Sequence, residues 1–238
     1  MKPILIIKTG STLSSLKSTR GDFEDWMVRG CALPRSAFHV VNVESGETLP
    51  AYETISAVMV SGSHAMVSER MPWSETAAHW LAQAVERRLP TLGICYGHQL
   101  LAHALGGEVD YNPNGLEKGT LEVTLVPEGQ SDPLLSILPR ISRLHLSHAQ
   151  SVLRLPAGAL RLARSTMDEH QAFSFNGNAW GVQFHPEFDA DVMRAYIQAD
   201  HGDLLAAGQD PETLLAGCEE TPFGSQLLQR FAVLAGWG

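Results

Sequence analysis

The chain has 238 residues, of which 44% are hydrophobic and 18% are charged, and its formal net charge at pH 7 is −9. This composition excludes disordered and fibrous proteins and is ordinary for a globular protein that buries a core. The negative charge and the absence of a Lys/Arg cluster argue against a nucleic-acid partner, because binding to phosphate backbones needs concentrated positive charge.

Cysteine usage and the N-terminal segment bear on the cellular compartment. Cys31, Cys95 and Cys218 form no CxxC pair, so the sequence predicts neither a disulfide framework nor a zinc site. We expect a reducing cytoplasm, no metal and no other cofactor, with Cys31 and Cys218 as unreactive thiols. The apolar run near the N-terminus is too short for a signal peptide or a membrane span, so we expect no membrane partner.

The first half of the chain alternates predicted strands with predicted helices. The predicted elements are a strand over 4–7, a helix over 22–33, strands over 38–43 and 57–60, a helix over 74–88 with Ser74 as its N-cap, and a strand over 91–94. Strands that alternate with helices of this length favour an α/β fold, with a doubly wound and mainly parallel central sheet flanked by helices, of the flavodoxin-like kind.

From about residue 120 the pattern changes to short strands. They are predicted over 121–126, 143–146, 160–165, 172–175 and 180–184. We interpret them as a small antiparallel layer followed by a return to the main sheet. A helix is predicted over 189–200, and a mostly helical tail over 202–238 with Thr221 as a cap. The chain is predicted to form one domain over 1–238, with a core over about 4–200.

Cys95 follows the predicted strand that ends at Ile94 and precedes a helix predicted over 98–105. Gly93 and Gly97 flank it in the G-x-Nuc-x-G spacing of a nucleophile elbow. Glycine is needed at these positions because a turn this tight leaves no room for Cβ atoms. The N-terminal end of the following helix would stabilise a thiolate and lower the pKa of the cysteine. The pattern predicts a reactive nucleophile, although the spacing alone also fits a buried, unreactive cysteine.

The same turn predicts an oxyanion hole. In such an elbow the N–H group after the nucleophile, here that of Tyr96, faces the substrate carbonyl. A second N–H donor comes from a neighbouring loop, for which we choose Ser61-Gly62-Ser63 because this loop ends the adjacent strand.

A thiol nucleophile needs a base, and the base needs an acceptor that orients it. Among ten histidines, His185 stands out because it would end a buried strand two residues before Glu187. Side chains two apart on a strand project to the same side. Glu187 could then accept a hydrogen bond from His185 and leave the other ring nitrogen free for Cys95. An isolated His-Pro-Glu is usually an ordinary loop, so the upstream cysteine elbow carries the weight.

Four segments in this order resemble the class I glutamine amidotransferases, and among them the free-standing relatives of the GMP synthetase glutaminase domain. They are Ser61-Gly62-Ser63 before a Pro-Trp helix start, 93–99, 147–152 and 181–188. The resemblance covers about residues 4–200. It implies a catalytic triad of Cys95, His185 and Glu187, and an oxyanion hole made by the amides of Gly62 and Tyr96.

The resemblance also implies the reaction: hydrolysis of the side-chain amide of glutamine through a γ-glutamyl thioester, giving glutamate and ammonia. It implies that Gln99, Ser147 and His148 help hold the amino-acid end of this small-molecule substrate. The chain has neither an S-G-G-x-D-S nor a G-x-x-x-x-G-K-[ST] nucleotide-binding loop. If it is an amidotransferase, the acceptor chemistry therefore belongs to a separate synthetase subunit.

Two other functions remain open at this point. A free-standing γ-glutamyl peptidase would use the same triad on a γ-glutamyl amide other than glutamine, so that only the leaving group differs. A catalytically silent binding or regulatory module would keep the fold without turnover, which the intact triad disfavours.

Four further polar side chains carry weaker expectations. A metal site made by His145 and His148 is disfavoured, because residues three apart on a strand project to opposite faces. His98 is expected either to cap the helix or to pack. Glu117 is expected to be a solvated loop carboxylate.

Overall fold

The computed structural model describes residues 1–237. Its strands are β1 (Ile4–Lys8), β2 (Phe38–Asn42), β3 (Ala57–Val60), β4 (Thr91–Ile94), β5 (Glu108–Tyr111), β6 (Glu117–Leu125), β7 (Ile141–His148), β8 (Gln150–Arg154), β9 (Leu160–Arg164), β10 (Ala172–Phe175) and β11 (Ala179–Val182). Its α-helices are α1 (Ser14–Arg20), α2 (Phe23–Gly30), α3 (Pro72–Glu86), α4 (Tyr96–Ala104), α5 (Pro127–Ser131), α6 (Ala190–Ala199), α7 (His201–Ala206), α8 (Pro211–Ala216) and α9 (Phe223–Leu234).

Within the described residues the central sheet has nine strands in the order β2-β1-β3-β4-β11-β10-β9-β6-β7. The strands from β2 to β11 in this order run parallel, and the remaining pairs are antiparallel. β5 and β8 form a separate small antiparallel sheet. The predicted fold class, a mainly parallel doubly wound sheet with helices and a small antiparallel sheet, is confirmed.

The strands predicted for the antiparallel layer mostly lie in the central sheet instead. β6 begins at Glu117 and pairs with β7 on one side and β9 on the other, so it extends the large sheet. The separate sheet is made by β5 and β8, which hydrophobic periodicity did not indicate. β5 is largely exposed, so its sequence lacks the apolar alternation that marks a half-buried strand.

Helices cover both faces of the parallel strands, which explains their continuous burial. On one face α3 and α4 pack against β1 and β3. On the other face α2 and α9 pack against β1 and β4, and Leu228 and Phe231 of α9 are fully buried there. The predicted tail is mostly helical over its described residues 202–237, and its last helix completes the core; the final position of the predicted tail, 238, lies outside the described residues.

Three helix starts differ from the predicted ones. α3 begins at Pro72, whose fixed φ suits the first helical position, and the hydroxyl of Ser74 lies 2.6 Å from that of Tyr96 instead of capping. α4 begins at Tyr96, directly after the nucleophile position. The N-cap of α9 is Pro222, not Thr221, and it makes no side-chain cap bond.

Over residues 1–237, none of the helices has both the length and the apolar character that crossing a bilayer would require.

Candidate active site

Cys95 lies between β4 and α4 with φ 51° and ψ −104°. A positive φ is uncommon for a residue with a Cβ atom and costs about 1–3 kcal/mol, so the surrounding structure must hold it in place. A Cβ atom on Gly93 would lie 2.2 Å from the carbonyl oxygen of Gly97, and one on Gly97 would lie 2.5 Å from that of Val60. The flanking glycines therefore permit the close approach of backbone segments that the elbow needs.

The side chain of Cys95 is almost buried: the residue is 6% exposed, and its sulfur lies 3.7 Å from the carbonyl oxygen of Ser147. Burial by itself raises the pKa of this thiol. The charge of His185 and a hydrogen bond with that imidazole act in the opposite direction and prevail, so the pKa lies below its ordinary value. The surroundings of Cys95 therefore favour its thiolate more than those of an ordinary cysteine do.

His185 and Glu187 are brought together by a turn after β11. Nδ1 of His185 lies 2.7 Å from Oε1 of Glu187, and both side chains are buried. β11 ends at Val182, and the N–H of Phe188 donates to the carbonyl of His185 at 3.4 Å. The expected contact therefore exists, but the strand alternation from which it was argued does not produce it. The ring of Phe188 also stacks on the imidazole, with centroids 4.0 Å apart.

The imidazole of His185 shares a proton network with the thiol. Burial lowers its pKa, but the charges of Glu187 and Cys95 and hydrogen bonds with both raise it to about 10. Because Nδ1 faces Glu187, Nε2 is the nitrogen left for Cys95. Glu187 thus interacts with one side of the His185 ring and Cys95 with the other, and this order favours a thiolate–imidazolium pair.

The loop after β3 passes beside this imidazole. A Cβ atom on Gly62 would lie 3.1 Å from Cε1 of His185. The loop is anchored to β1 because the N–H of Thr9 donates to Oγ of Ser61 at 3.1 Å and the hydroxyl of Thr9 donates to the carbonyl of Gly62 at the same distance. Gly62 is therefore held at the site, as is Tyr96 at the start of α4.

Gln99, Ser147 and His148 line a cleft that opens onto Cys95 and has a volume of about 130 Å³. The amide nitrogen of Gln99 donates to the carbonyl of Gln150 at 2.7 Å and to Oε1 of Gln183 at 2.9 Å. These bonds tie α4 to β8 and fix one wall of the cleft. The side chains that the sequence assigned to substrate binding therefore lie together at the cysteine.

Glu117 was expected to be a solvated loop carboxylate, and this prediction is wrong. It begins β6, is 1% exposed, and its Oε2 lies 3.0 Å from Nε2 of His148. The same oxygen accepts a bond from Nε2 of Gln171 at 2.8 Å. Local sequence could not reveal this position, because it depends on the pairing of β6 with β7.

The other two histidines have structural contacts. His98 is fully buried against Phe173, and burial lowers its pKa to about 3, so it packs as a neutral ring. His145 lies 3.1 Å from the hydroxyl of Thr120 through Nδ1, and burial lowers its pKa to about 4.

Two charged residues that the sequence did not indicate line the cleft. Lys118 of β6 and Asp200, at the junction of α6 and α7, form an ion pair there. Their 82-residue separation leaves no local pattern to detect. A lysine in a strand or an aspartate at a helix end occurs in many proteins for structural reasons and does not by itself indicate a binding site.

Comparison with protein families and curated proteins gives a consistent result. The model of the class-I glutamine amidotransferase family matches residues 23–201. The GMP synthase [glutamine-hydrolyzing] of Aeropyrum pernix is 39% identical over 142 residues, which are 60% of this chain and 25% of the relative. Gamma-glutamyl peptidase 4 of Arabidopsis thaliana is 31% identical over 161 residues, which are 66% of this chain and 63% of the relative. The chain thus spans less than two thirds of either relative.

Solved structures match along the whole chain. A glutamine amidotransferase from Thermotoga maritima is 25% identical, with a TM-score of 0.78 and coverage of 99% of this chain and 98% of its own. One from Methylobacillus flagellatus is 26% identical, with a TM-score of 0.76 and coverage of 100% and 94%. Because the family model spans more than half of the sequence, the chain belongs to the class-I glutamine amidotransferases.

Proposed function

We propose that the protein hydrolyses the side-chain amide of glutamine to glutamate and ammonia through a γ-glutamyl thioester on Cys95. The observation that carries this proposal is the arrangement of one imidazole between a strained cysteine and a buried carboxylate. His185 lines the same recess as Cys95, and its Nδ1 lies 2.7 Å from Oε1 of Glu187. A nucleophile, its base and the group that orients the base are the parts that acyl transfer requires.

The first half of the reaction forms the thioester. The thiolate attacks the side-chain carbonyl carbon of glutamine, and an S–C bond forms while the carbonyl oxygen becomes an oxyanion. The amides of Gly62 and Tyr96 are proposed to donate to this oxyanion; loss of one such donor typically costs about 100- to 1000-fold in rate. The C–N bond then breaks, and His185 gives its proton to the departing nitrogen, which leaves as ammonia.

The second half returns the enzyme to its starting state. His185, now neutral, takes a proton from water, and the water oxygen attacks the thioester carbon. The C–S bond breaks, so that the thiolate and the imidazolium reform and the released γ-carboxylic acid ionises to glutamate. Glu187 stabilises the imidazolium through both halves.

Gln99, Ser147 and His148 are proposed to hold the amino-acid end of glutamine, because they line the wall of the cleft next to the sulfur. The ammonia acceptor is proposed to lie on a separate synthetase polypeptide. One relative, from Natronomonas pharaonis, is named as one of the subunits of a GMP synthase [glutamine-hydrolyzing] and is 43% identical over 100 residues, which supports an arrangement in separate polypeptides.

A γ-glutamyl peptidase is the second candidate. A small recess adjoins Cys95 on the side of His185, and the ion-paired Lys118 and Asp200 line it. This recess favours a peptidase, as does the similarity to gamma-glutamyl peptidase 4. The same two chemical steps would release an amino acid or peptide in place of ammonia.

The test is release of glutamate from glutamine and from a panel of γ-glutamyl peptides by the purified protein, with Cys95→Ser as the control. Turnover of glutamine that Cys95→Ser abolishes supports the glutaminase, and turnover of peptides alone supports the peptidase. Labelling of Cys95 by an electrophilic glutamine analogue without turnover would indicate a missing partner. Neither turnover nor labelling would overturn the hydrolase and favour a silent module.

A further inference from the structure

Under the proposed function, different parts of the substrate occupy the two sides of the Cys95 sulfur. His185 must hand its proton to the leaving nitrogen, so the leaving group lies on the side of the sulfur that His185 faces. The glutamyl part then lies along the other side, toward Gln99 and Gln150. The recess on the His185 side is also lined by Phe23, Tyr196 and His64 among others.

Lys118 and Asp200 occupy the boundary between the two sides, since both line the cleft and the recess. Among the residues that line these spaces within 1–237, Lys118 is the only lysine or arginine. Its side chain is 2% exposed, and its ammonium lies 5.6 Å from the centre of the Tyr196 ring. A charge buried this deeply needs an anionic partner.

The two partners differ in their freedom to move. The Asp200 side chain is 37% exposed and lies where α6 ends and α7 begins, so its carboxylate can turn toward solvent. Lys118 is held within β6, where it pairs with Ser147 of β7. The anion beside Lys118 can therefore be exchanged, whereas the cation stays in place.

With Asp200 in position, the recess has a volume of about 50 Å³. The Asp200 carboxylate lines this recess together with Lys118. A leaving group that carries a carboxylate would therefore compete with Asp200 for the position beside Lys118. A carboxylate on that leaving group would then replace the Asp200 carboxylate on Lys118 and keep the buried charge paired.

We propose that Lys118 and Asp200 determine the leaving-group specificity of this site. Lys118 binds the carboxylate of a leaving group that is an α-amino acid or a short peptide, and Asp200 closes the same position when the leaving group is ammonia. The inference rests on the thioester chemistry proposed above, in which the C–N bond breaks and His185 protonates the amine of the departing amino acid.

The experiment compares γ-glutamylglycine with γ-glutamylglycinamide, which differ in the leaving group by one carboxylate. The measured quantity is the kcat/KM for glutamate release from γ-glutamylglycine divided by the kcat/KM for glutamate release from γ-glutamylglycinamide. Lys118→Met should lower this ratio about tenfold or more, because a charge-assisted hydrogen bond is lost. Asp200→Asn should raise it about threefold, because the competing carboxylate is removed. Matched controls are Lys2→Met and Asp203→Asn, which change exposed residues outside the cleft.

A second measurement keeps the inference testable if the protein alone does not turn over. The affinities of both compounds for Cys95→Ser protein, by titration calorimetry, should show the same preference for the carboxylate and the same loss in the Cys95→Ser, Lys118→Met double variant. This preference and its loss in the double variant would support carboxylate binding by Lys118 even without turnover in the wild type, whereas equal affinities of both compounds for Cys95→Ser protein would overturn it.

Two kinetic results would also overturn the specificity assignment. One is a ratio that stays within about twofold of the wild type in Lys118→Met. The other is an equal loss for glutamine and both glycine compounds, which would mean that Lys118 binds the glutamyl part they share. Either result, obtained with active wild-type protein, would leave the proposed function intact.

Discussion

Nε2 of His148 lies 3.0 Å from Oε2 of Glu117, and both side chains are 1% exposed. Nδ1 of the same ring lies 2.9 Å from the carbonyl oxygen of Gln150. Both partners accept hydrogen bonds, so these surroundings favour the imidazolium form, which carries hydrogen on both ring nitrogens. Burial lowers the pKa of His148, but the hydrogen bond and charge of Glu117 outweigh it and raise the pKa. The charge of His148 in turn contributes to lowering the pKa of Cys95.

The first prediction concerns this pair. Glu117→Gln removes the charge that keeps His148 protonated, so His148 should become neutral near pH 7 and the pKa of Cys95 should rise. Breaking a buried pair should also lower the free energy of unfolding by about 3 kcal/mol. The measurements are the pH dependence of Cys95 alkylation and denaturant unfolding. An unchanged alkylation profile in a folded variant would contradict the electrostatic role of His148.

The second prediction is the pH range of the thiolate–imidazolium pair. It forms above the pKa of Cys95, which is lowered, and breaks above the pKa of His185, which is raised to about 10. Alkylation of Cys95 should therefore begin below pH 8.5, the ordinary pKa of a thiol. In His185→Ala the onset should move to higher pH, since the main positive charge is gone. Cys31 and Cys218 should stay silent, because burial raises the pKa of each.

Mass spectrometry after alkylation assigns the signal to Cys95. The Cys95 profile of His185→Ala should lie at higher pH than the wild-type profile, because the charge of His185 lowers the pKa of Cys95 in the wild type. Identical onsets in the two proteins would exclude a charge interaction between His185 and the sulfur.

The third prediction tests the elbow. Gly97→Ala would place a Cβ atom 2.5 Å from the carbonyl oxygen of Val60, and backbone cannot yield as a flexible side chain can. The substitution should lower the free energy of unfolding by about 2 kcal/mol or more and abolish thioester formation by moving Cys95. Gly202→Ala is the matched control, because its Cβ atom would meet nothing within 4 Å. Equal stability of the two variants would contradict the packing described for the elbow.

The elbow was predictable because its causes are local: consecutive residues define the end of the strand and the two glycines that flank Cys95. The contact of His185 with Glu187 is also local, although a turn makes it and not a strand. The pairs Glu117–His148 and Lys118–Asp200 join residues 31 and 82 positions apart. Such contacts follow from sheet order and from the return of α6 to the cleft, which hydrophobic periodicity does not encode.

The role of the C-terminal helix α9 was likewise not predictable, because an amphipathic sequence pattern predicts a helix with one apolar side but not the surface against which that side packs. In the structure its apolar side packs on α2 and the sheet, and a Cβ atom on Gly30 would lie 2.3 Å from Cδ1 of Leu228. This contact makes α9 part of the core that supports β1 and β4, the strands next to Gly62 and Cys95.

The fourth prediction follows from that packing. Phe231 is fully buried, whereas Val233, two residues later on the same helix, is 48% exposed. Phe231→Ala should lower the free energy of unfolding by about 3–5 kcal/mol, because it removes a buried aromatic side chain and leaves a cavity. Val233→Ala should change it by about 0.5 kcal/mol or less, as surface substitutions usually do. Denaturant unfolding measures both values. If both variants unfold at the wild-type denaturant concentration, α9 does not contribute to the core, and removing residues after 222 should then leave Cys95 alkylation unchanged.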